Sequence, residues 1–301
     1  MCQKKIIYDF FDASKSDSEN NSVFQQMYSM LENGESIQTI LQREKRWEYY
    51  YHLSPIRENV IDFCRIEKTD TVLEIGAQAG ALTGAIARRC AHVDCVTQSD
   101  TMAKISECRH RELENITIFV GELEHIAFTK KYDVITLFGA LETAPRHMRT
   151  PNPYLSVLQL AHSLLKPGGR LYIGCTNRFG LRYFAGYYDE QTRKPFGGIA
   201  GGNRKKSATT FSRYELIELI EKAGFEPGFF YYPFPDYAFP KIVYSDDHFP
   251  KITAYMNVNT NYINPRLVCF DENKVYPTLN SMEERKMFAN SFVVEVAGEK
   301  E

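Results

Sequence analysis

The stretch TVLEIGAQAGALTG, running from Thr71 to Gly84, decides how this chain folds. Val72 and Leu73 form a short apolar run that meets an acid, Glu74, and glycines follow at Gly76, Gly80 and Gly84. Branched aliphatic residues favour a strand. Glycines after it accept unusual dihedrals and let backbone approach a ligand closely. The pattern is that of a strand entering a loop built for a nucleotide-like molecule, except that Gln78 stands where such loops often carry a further glycine.

Outward from this loop the chain alternates. TVLEI reads as a strand and ALTGAIARRC as a helix, followed by HVDCVT (strand), DTMAKISECRHREL (helix), ITIFVG (strand), YDVITLFG (strand), NPYLSVLQLAHSLLK (helix) and, after a KPGG turn, RLYIGCT (strand). Short apolar strands alternating with helices predict a parallel sheet covered on both faces. The alternation stops at residue 176. Residues 177–210 are rich in glycine, aromatic and basic residues, and SRYELIELIEKAGF then reads as a helix capped by Ser212 and stopped at Gly224. FEPGFFYY and NSFVVEVAG read as two further strands, with a long excursion at 233–290 between them. Ahead of the first strand, residues 11–22 are a polar link, 23–46 a helical pair broken near Asn33-Gly34, and Pro55 starts a helix over 55–65.

Composition bounds the function classes. The 301 residues are 44% hydrophobic and 25% charged, enough for a sizeable core. A formal net charge of −2 argues against a nucleic-acid protein held by a broad basic surface. The first residues carry no apolar run of signal-peptide length, and no stretch reaches the roughly 20 apolar residues of a membrane span. Seven cysteines, an odd count without a Cys-x-x-Cys pair, predict buried reduced thiols in a cytoplasmic protein and no zinc site. No histidine has a metal-like spacing to a second ligand, so no metal is expected.

In an open parallel sheet, ligands sit beyond the carboxyl ends of the strands. The spacing Glu74-x-Gly76-x-x-x-Gly80 differs from the dinucleotide fingerprint, whose glycines crowd a pyrophosphate onto a helix end. It suits a cofactor without phosphates whose amino-acid end needs backbone donors and acceptors. S-adenosylmethionine (SAM) is such a molecule.

The chain resembles the class I SAM-dependent methyltransferases. More narrowly it resembles those that accompany, or are fused to, glycosyltransferases in bacterial cell-surface polysaccharide synthesis. The segments that carry the likeness are YYYHLSPIRENVIDF, LEIGAQAGALTGAIAR, YDVITLFGALE, LLKPGGRLYIGCTNRFGLRYFAG, TFSRYELIELIEKAGF, FYYPFPDYAFPKIVYSD and FANSFVVEVAG, which run from about residue 47 to 298. The resemblance implies an α/β, Rossmann-like, seven-stranded and mostly parallel sheet with helices on both faces and its last strand antiparallel. Residues 1–66 would form an N-terminal helical lid, and 67–301 the methyltransferase domain with its insertion at 233–290.

By the same resemblance Glu74, Gly76, Ala77, Gln78 and Gly80 line the methionine end of the cofactor. Thr97 and Gln98 stand at the ribose, Glu122 and Leu123 at the adenine, and Phe138, Gly139 and Leu141 pack the cofactor after the fourth strand. Tyr51, His52 and Arg57 either belong to a lid over it or are packing and surface charge. Asn177 and Arg178 end the fifth strand at the ligand edge, and Asp189 or Glu190 is the general base or else a solvated loop carboxylate. Tyr183, Tyr232, Asp236 and Tyr237 are the candidate acceptor contacts. Ten aromatics in residues 225–249 offer either stacking faces for sugar rings or a small secondary core. Arg193, Lys194, Arg204, Lys205 and Lys206 form a basic loop that would meet a diphosphate or simply face solvent.

Four positions depart from the pattern. Thr97 replaces the acid that usually holds the ribose hydroxyls, Gln78 replaces a glycine, Thr176 stands where an acid tends to precede NRFG, and Gln191 ends an acidic run that usually closes with histidine. Three readings follow. The first is a SAM-dependent O-methyltransferase acting on a sugar of a cell-surface glycan or its precursor, with a glycan or nucleotide-sugar substrate and a glycosyltransferase as possible partner. The second is a non-catalytic relative that serves as scaffold for a biosynthetic enzyme. A third keeps SAM but takes an amine or small metabolite as acceptor.

Overall fold

The computed structural model describes residues 5–11, 22–189, 193–200, 209–226, 228–251 and 267–298. The chain divides into two compact units: residues 1–137 with 164–169, and residues 138–163 with 170–301.

The first unit contains a ladder of five parallel strands in the order β1-β4-β3-β2-β5. They are β1 (Lys5–Phe10), β2 (Thr71–Ile75), β3 (His92–Thr97), β4 (Ile116–Gly121) and β5 (Tyr132–Phe138). β2 lies between β3 and β5, so both its edges are paired, and successive residues Val72, Leu73, Glu74 and Ile75 are all buried, so neither face is open to solvent. This explains why its sequence is a continuous apolar run rather than an alternating one.

Three short helices lie between β1 and β2: α1 (Ser22–Glu32), α2 (Ile37–Arg43) and α3 (Trp47–Leu53). The break between α1 and α2 falls at Gly34, whose φ of +82° is the left-handed conformation a helix stop uses. A 3-10 turn, Pro55–Ile61, follows where the sequence predicts a longer helix. Met27, Leu31, Ile40, Tyr49 and Leu53 pack against Met102 and Ile105 of α5 (Asp100–Arg109) and against Ala79 of the glycine loop. Burying each large aliphatic side chain contributes about 1.5–3 kcal/mol, so this cluster anchors the N-terminal helices to the loop that follows β2. The remaining helix of this unit, α4 (Thr83–Ala87), is a short one.

The second unit contains α6 (Pro153–Leu164), α7 (Leu181–Phe184), α8 (Arg213–Lys222), α9 (Glu272–Val275) and α10 (Met282–Phe288). Its strands follow the order β6-β9-β7-β8, and every neighbouring pair is antiparallel. They are β6 (Leu165–Thr176), β7 (Phe229–Phe234), β8 (Ile242–Ser245) and β9 (Ser291–Ala297). α8 keeps both expected signals. Ser212 and Glu215 form a reciprocal capping box, and Gly224 ends the helix at φ +97°.

The described residues thus hold nine strands, not seven, in an α/β, Rossmann-like arrangement with an antiparallel last strand. The two additions are β1 and β8. β1 is a short run next to the polar link, and its partner β4 lies over a hundred residues away, so no local pattern announces it. β8 lies inside the excursion at 233–290 and pairs with β7. KPGG, expected as a turn, falls within β6. The six described cysteines are free thiols; Cys64, Cys90, Cys95 and Cys175 are buried, Cys108 is half-buried, and Cys269 is exposed, against the expectation. No described helix is long and apolar enough to cross a membrane.

Candidate functional site

The loop after β2 turns on three left-handed residues: Gly76 at φ +80°, Gln78 at +48° and Gly80 at +70°. Gly76 and Ala77 both donate their N–H to the carbonyl of Val96 on β3, over 3.1 and 2.9 Å. Gln78 is exposed, and glycine would adopt its dihedral at lower cost. Gly80 and Gly84 are glycine for another reason. A Cβ on Gly80 would lie 2.3 Å from Ser106 Oγ and 2.9 Å from His110 Nε2, and one on Gly84 would meet the His110 ring at 2.7 Å. His110 Nε2 also contacts the Gly80 carbonyl at 2.8 Å. The last two therefore serve the close approach of the α5 end to the loop.

Glu74 is buried at the carboxyl end of β2, 4% exposed. Its Oε2 accepts from Thr83 Oγ1 at 2.6 Å and from Cys95 Sγ at 3.6 Å. Burial pushes the carboxyl up to about 7, against the lowering effect of these two donors and of the Arg109 and Arg57 charges. Arg57 is buried and stacks over the Tyr51 ring at 4.1 Å. Arg109 donates to the His52 carbonyl, and its burial pushes the guanidinium down to about 10, so it stays charged at neutral pH. His52 is pushed down to about 3, first by burial and then by the Arg57 and Arg109 charges. It is a neutral packing residue, edge-on to Phe24 and Tyr51.

Thr97 ends β3 opposite Val120 and is buried, with Gln98 half-buried beside it. Asp100, the nearest following acid, is committed to Tyr8 Oη at 2.7 Å and Lys104 Nζ at 2.6 Å. Asp94, within β3, is held by Tyr132 Oη, Lys130 Nζ and His92, whose hydrogen bonds keep its carboxyl below the usual range despite burial. No acid of β3 or its exit is therefore available where the ribose would lie. Glu122 follows β4, and its Oε2 lies 3.3 Å from His125 Nδ1. Leu123 is buried in the adjoining 3-10 turn. Glu122, Glu124 and His125 bring their ligand atoms within 4.8 Å of one another, a grouping the sequence spacing does not suggest.

The second unit has its own polar cluster at the ends of β5 and β6. Gly139, at φ +77°, donates to the Gly174 carbonyl at 2.8 Å. Phe138 and Leu141 are buried beside it. The Glu142 carboxylate, 7% exposed, accepts from the Thr176 N–H at 2.7 Å and from Tyr237 Oη at 3.1 Å. Asn177 is buried; its amide donates to the Met287 and Ala289 carbonyls at 2.7 Å each, and its oxygen accepts from the Phe179 N–H at 3.0 Å. It ties the end of β6 to the approach to β9. Arg178 pairs with Glu215 at 3.1 Å and lies over the Phe179 ring. Asp189 is buried, its Oδ2 2.7 Å from where a Gly198 Cβ would stand. Glu190, Gln191, Arg204, Lys205 and Lys206 lie outside the described residues, whereas Arg193 and Lys194 are exposed.

The aromatic run forms a core rather than a stacking surface. Tyr232 is fully buried among Phe230, Phe249 and Phe292, with its hydroxyl on Asp246 at 2.7 Å. Asp236 receives Arg182 at 3.0 Å together with the N–H groups of Ala238 and Phe239. Tyr183 is buried and accepts from Arg182 at 3.0 Å. Thr83, Cys95, Arg109, His110 and Glu142 are the residues the sequence reading omits. Thr83 lies in the opening stretch and Glu142 in LFGALE, but nothing local marks either as a partner of Glu74 or Thr176.

Residues 72–169 match the family model described as "Methyltransferase domain". About a third of the chain is thus similar to a methyltransferase domain. A ubiquinone biosynthesis O-methyltransferase of Pseudomonas paraeruginosa is 29% identical to this chain over 141 residues, 45% of this chain and 57% of the relative. The chain thus spans little more than half of that relative's length. A ribosomal RNA small subunit methyltransferase A of Syntrophus aciditrophicus is 26% identical over 84 residues, 28% of each chain. Among solved structures, a chain of the Haloferax volcanii complex between the Trm112 methyltransferase activator and a methyltransferase aligns with a TM-score of 0.51 at 14% identity. It covers 93% of this chain and 99% of that one, a likeness of fold.

The residues around Glu74 fit the amino-acid end of SAM better than Thr97 and Gln98 fit its ribose end. Glu74 Oε2 is occupied, but Oε1 accepts no hydrogen bond from the described residues, which leaves an acceptor for an ammonium group. The Arg57 and Arg109 charges act on the same carboxylate. Thr97 and Gln98, the residues expected at the ribose, are both neutral.

Proposed function

We propose that the chain is a SAM-dependent O-methyltransferase whose acceptor is a hydroxyl on a sugar of a cell-surface glycan or its precursor. The observation that carries the SAM part is Glu74: a buried carboxylate at the end of β2, held by Thr83, beside a loop with Gly76 and Gly80 in left-handed conformation. Glu74 would hold the amino group of the cofactor, Arg57 and Arg109 would balance its carboxylate, and Gln98 would bond one ribose hydroxyl. Glu122 and Leu123 would meet the adenine. When bound, the cofactor supplies an electrophilic methyl group on a sulfonium. The protein then has to orient the acceptor, exclude water and take up one proton. The helices before β2 serve as lid in this reading, because their core includes Ala79 of the loop itself.

The acceptor assignment rests on the segments NRFGLRYFAG and YYPFPDY, with Asp189, Arg178, Tyr183, Asp236 and Tyr237 as its candidate contacts. A small molecule of ubiquinone biosynthesis is the second reading, favoured by the name of the Pseudomonas relative. A non-catalytic scaffold for a glycosyltransferase is the third, favoured by the absent ribose acid. Calorimetric titration with SAM and S-adenosylhomocysteine separates catalyst from scaffold. Micromolar binding is expected. No binding up to about 1 mM, where the free energy is only about −4 kcal/mol, overturns the catalytic reading. A methyl-transfer screen with glycans, nucleotide sugars and phenols then decides the acceptor.

A further inference from the structure

Strand β1 ends where the two loops expected at the nucleoside of the cofactor begin. Thr97, at the end of β3, lies opposite Val120 of β4, and Phe10, at the end of β1, lies opposite Gly121. Thr97 and Gln98, expected at the ribose, and Glu122 and Leu123, expected at the adenine, therefore leave the sheet beside one another. β1 pairs along the other edge of β4, and all of these residues belong to the first unit.

β1 holds both exits. On the adenine side, the Phe10 carbonyl oxygen lies 2.5 Å from where a Gly121 Cβ would stand, and Phe10 Cβ lies 3.0 Å from it. Glycine at 121 is what lets β1 close on β4 at the last residue before Glu122. On the ribose side, Tyr8 Oη donates to Asp100 Oδ1 at 2.7 Å, and Lys104 Nζ holds the other carboxylate oxygen at 2.6 Å. Asp100 opens α5, three residues after Thr97. Tyr8 reaches it through a shift of register: between Ile7 and Phe10, two residues of β1, Tyr8 and Asp9, stand against Val120 alone. An extra residue of this kind bends a strand and re-aims its side chains. Tyr8 is 41% exposed, so burial accounts for little of its place in the fold.

On the SAM-binding reading given above, we propose that β1 is a clasp on the nucleoside half of the cofactor site, with Tyr8 and Phe10 as positioning residues. Both act through the loops rather than on the cofactor itself. Thr97 and Gln98 supply no acid to grip the ribose. Affinity at that end then depends on loops already in place, because a ligand binds more weakly in proportion as fewer molecules hold the competent arrangement. Tyr8 raises that fraction at the β3 exit, and Phe10 raises it at the β4 exit.

Tyr8→Phe removes the donor and keeps the ring. Wild type and variant are titrated calorimetrically with S-adenosylhomocysteine and with 5′-methylthioadenosine, which keeps the nucleoside and lacks the amino-acid end. Affinity for both ligands should fall by the same factor, about fivefold. The thermal midpoint without ligand should move by less than about 2 °C. Asp100→Asn still offers an acceptor to Tyr8 and should keep affinity within about twofold of wild type. In wild type, S-adenosylhomocysteine should slow amide hydrogen exchange in β1, because a clasp that favours binding is favoured by binding in return. Four outcomes overturn the proposal: unchanged affinity in Tyr8→Phe, tighter binding, a loss confined to S-adenosylhomocysteine, or exchange in β1 that does not respond to bound ligand. If wild type binds neither ligand, the SAM reading itself fails, and the clasp with it.

Discussion

The hydroxyl of Thr83 donates to Glu74 Oε2 over 2.6 Å, joining the first turn of α4 to the end of β2 beneath the glycine loop. The bond lowers the carboxyl, but burial outweighs it and leaves Glu74 at about 7. A carboxyl raised in the folded state holds its proton longer than in the unfolded chain. Its contribution to stability is therefore full below its ordinary value of 4.5 and is lost as pH rises toward 7. The total is on the order of 3 kcal/mol. His52, pushed down to about 3, works with the opposite sign: stability is gained as pH rises from about 3 to its ordinary 6.5. Glu74→Gln removes the first term and leaves the second. Urea midpoints at pH 5 and pH 8 should therefore fall less, or rise more, in the variant than in wild type. Parallel changes in both proteins would refute the assignment. The variant should also bind SAM at least about tenfold more weakly.

Gly80→Ala should destabilise the first unit by about 2 kcal/mol or more, since the new methyl group would stand 2.3 Å from Ser106 Oγ in a left-handed backbone. Ser106→Ala removes that oxygen and should restore part of the loss, though not the part due to φ. A double-mutant cycle by chemical denaturation measures the coupling, and strict additivity would show that the loop relaxes away from α5.

Thr97→Glu should tighten SAM binding about tenfold, because two charge-assisted hydrogen bonds to the ribose would replace neutral ones. In the free protein the same change places an acid at a position only 5% exposed, so the thermal midpoint without cofactor should drop. The informative readout is the midpoint shift on adding cofactor, which should be larger in the variant. An equal shift would place the ribose elsewhere.

Asn177→Asp exchanges a donor for a charged acceptor facing two carbonyl oxygens at 2.7 Å. A loss of about 2–4 kcal/mol in stability is expected. Asn177 thereby acts as a brace between β6 and the residues before β9. Near-normal stability with loss of methyl transfer would instead return it to the acceptor site.

The βα alternation, the parallel ladder and the place of the glycine loop were legible in the sequence because each depends on short-range signals. Those signals are apolar runs of strand length, capping serines and glycines at chain reversals. Ser212 with Glu215, Gly224 and the TVLEI strand stand where their local chemistry puts them. β1 was not legible, because its ladder partner is β4 and its own six residues look like the start of a polar tail.

At the site, Glu74 and the glycines could be read directly, but their partners could not. Thr83 and Cys95 reach Glu74 from different elements, His110 explains Gly80 and Gly84, and Glu142 meets Thr176 across 34 positions. The aromatic run showed the same division: composition marked it, and only packing decided that Tyr232 and Phe234 lie in a core instead of facing a ligand. The sequence by itself determined which residues can turn, cap and pair locally. The tertiary structure alone decided which buried polar groups satisfy one another, because a hydrogen bond between distant segments depends on register and depth, and neither leaves a periodic trace in the chain.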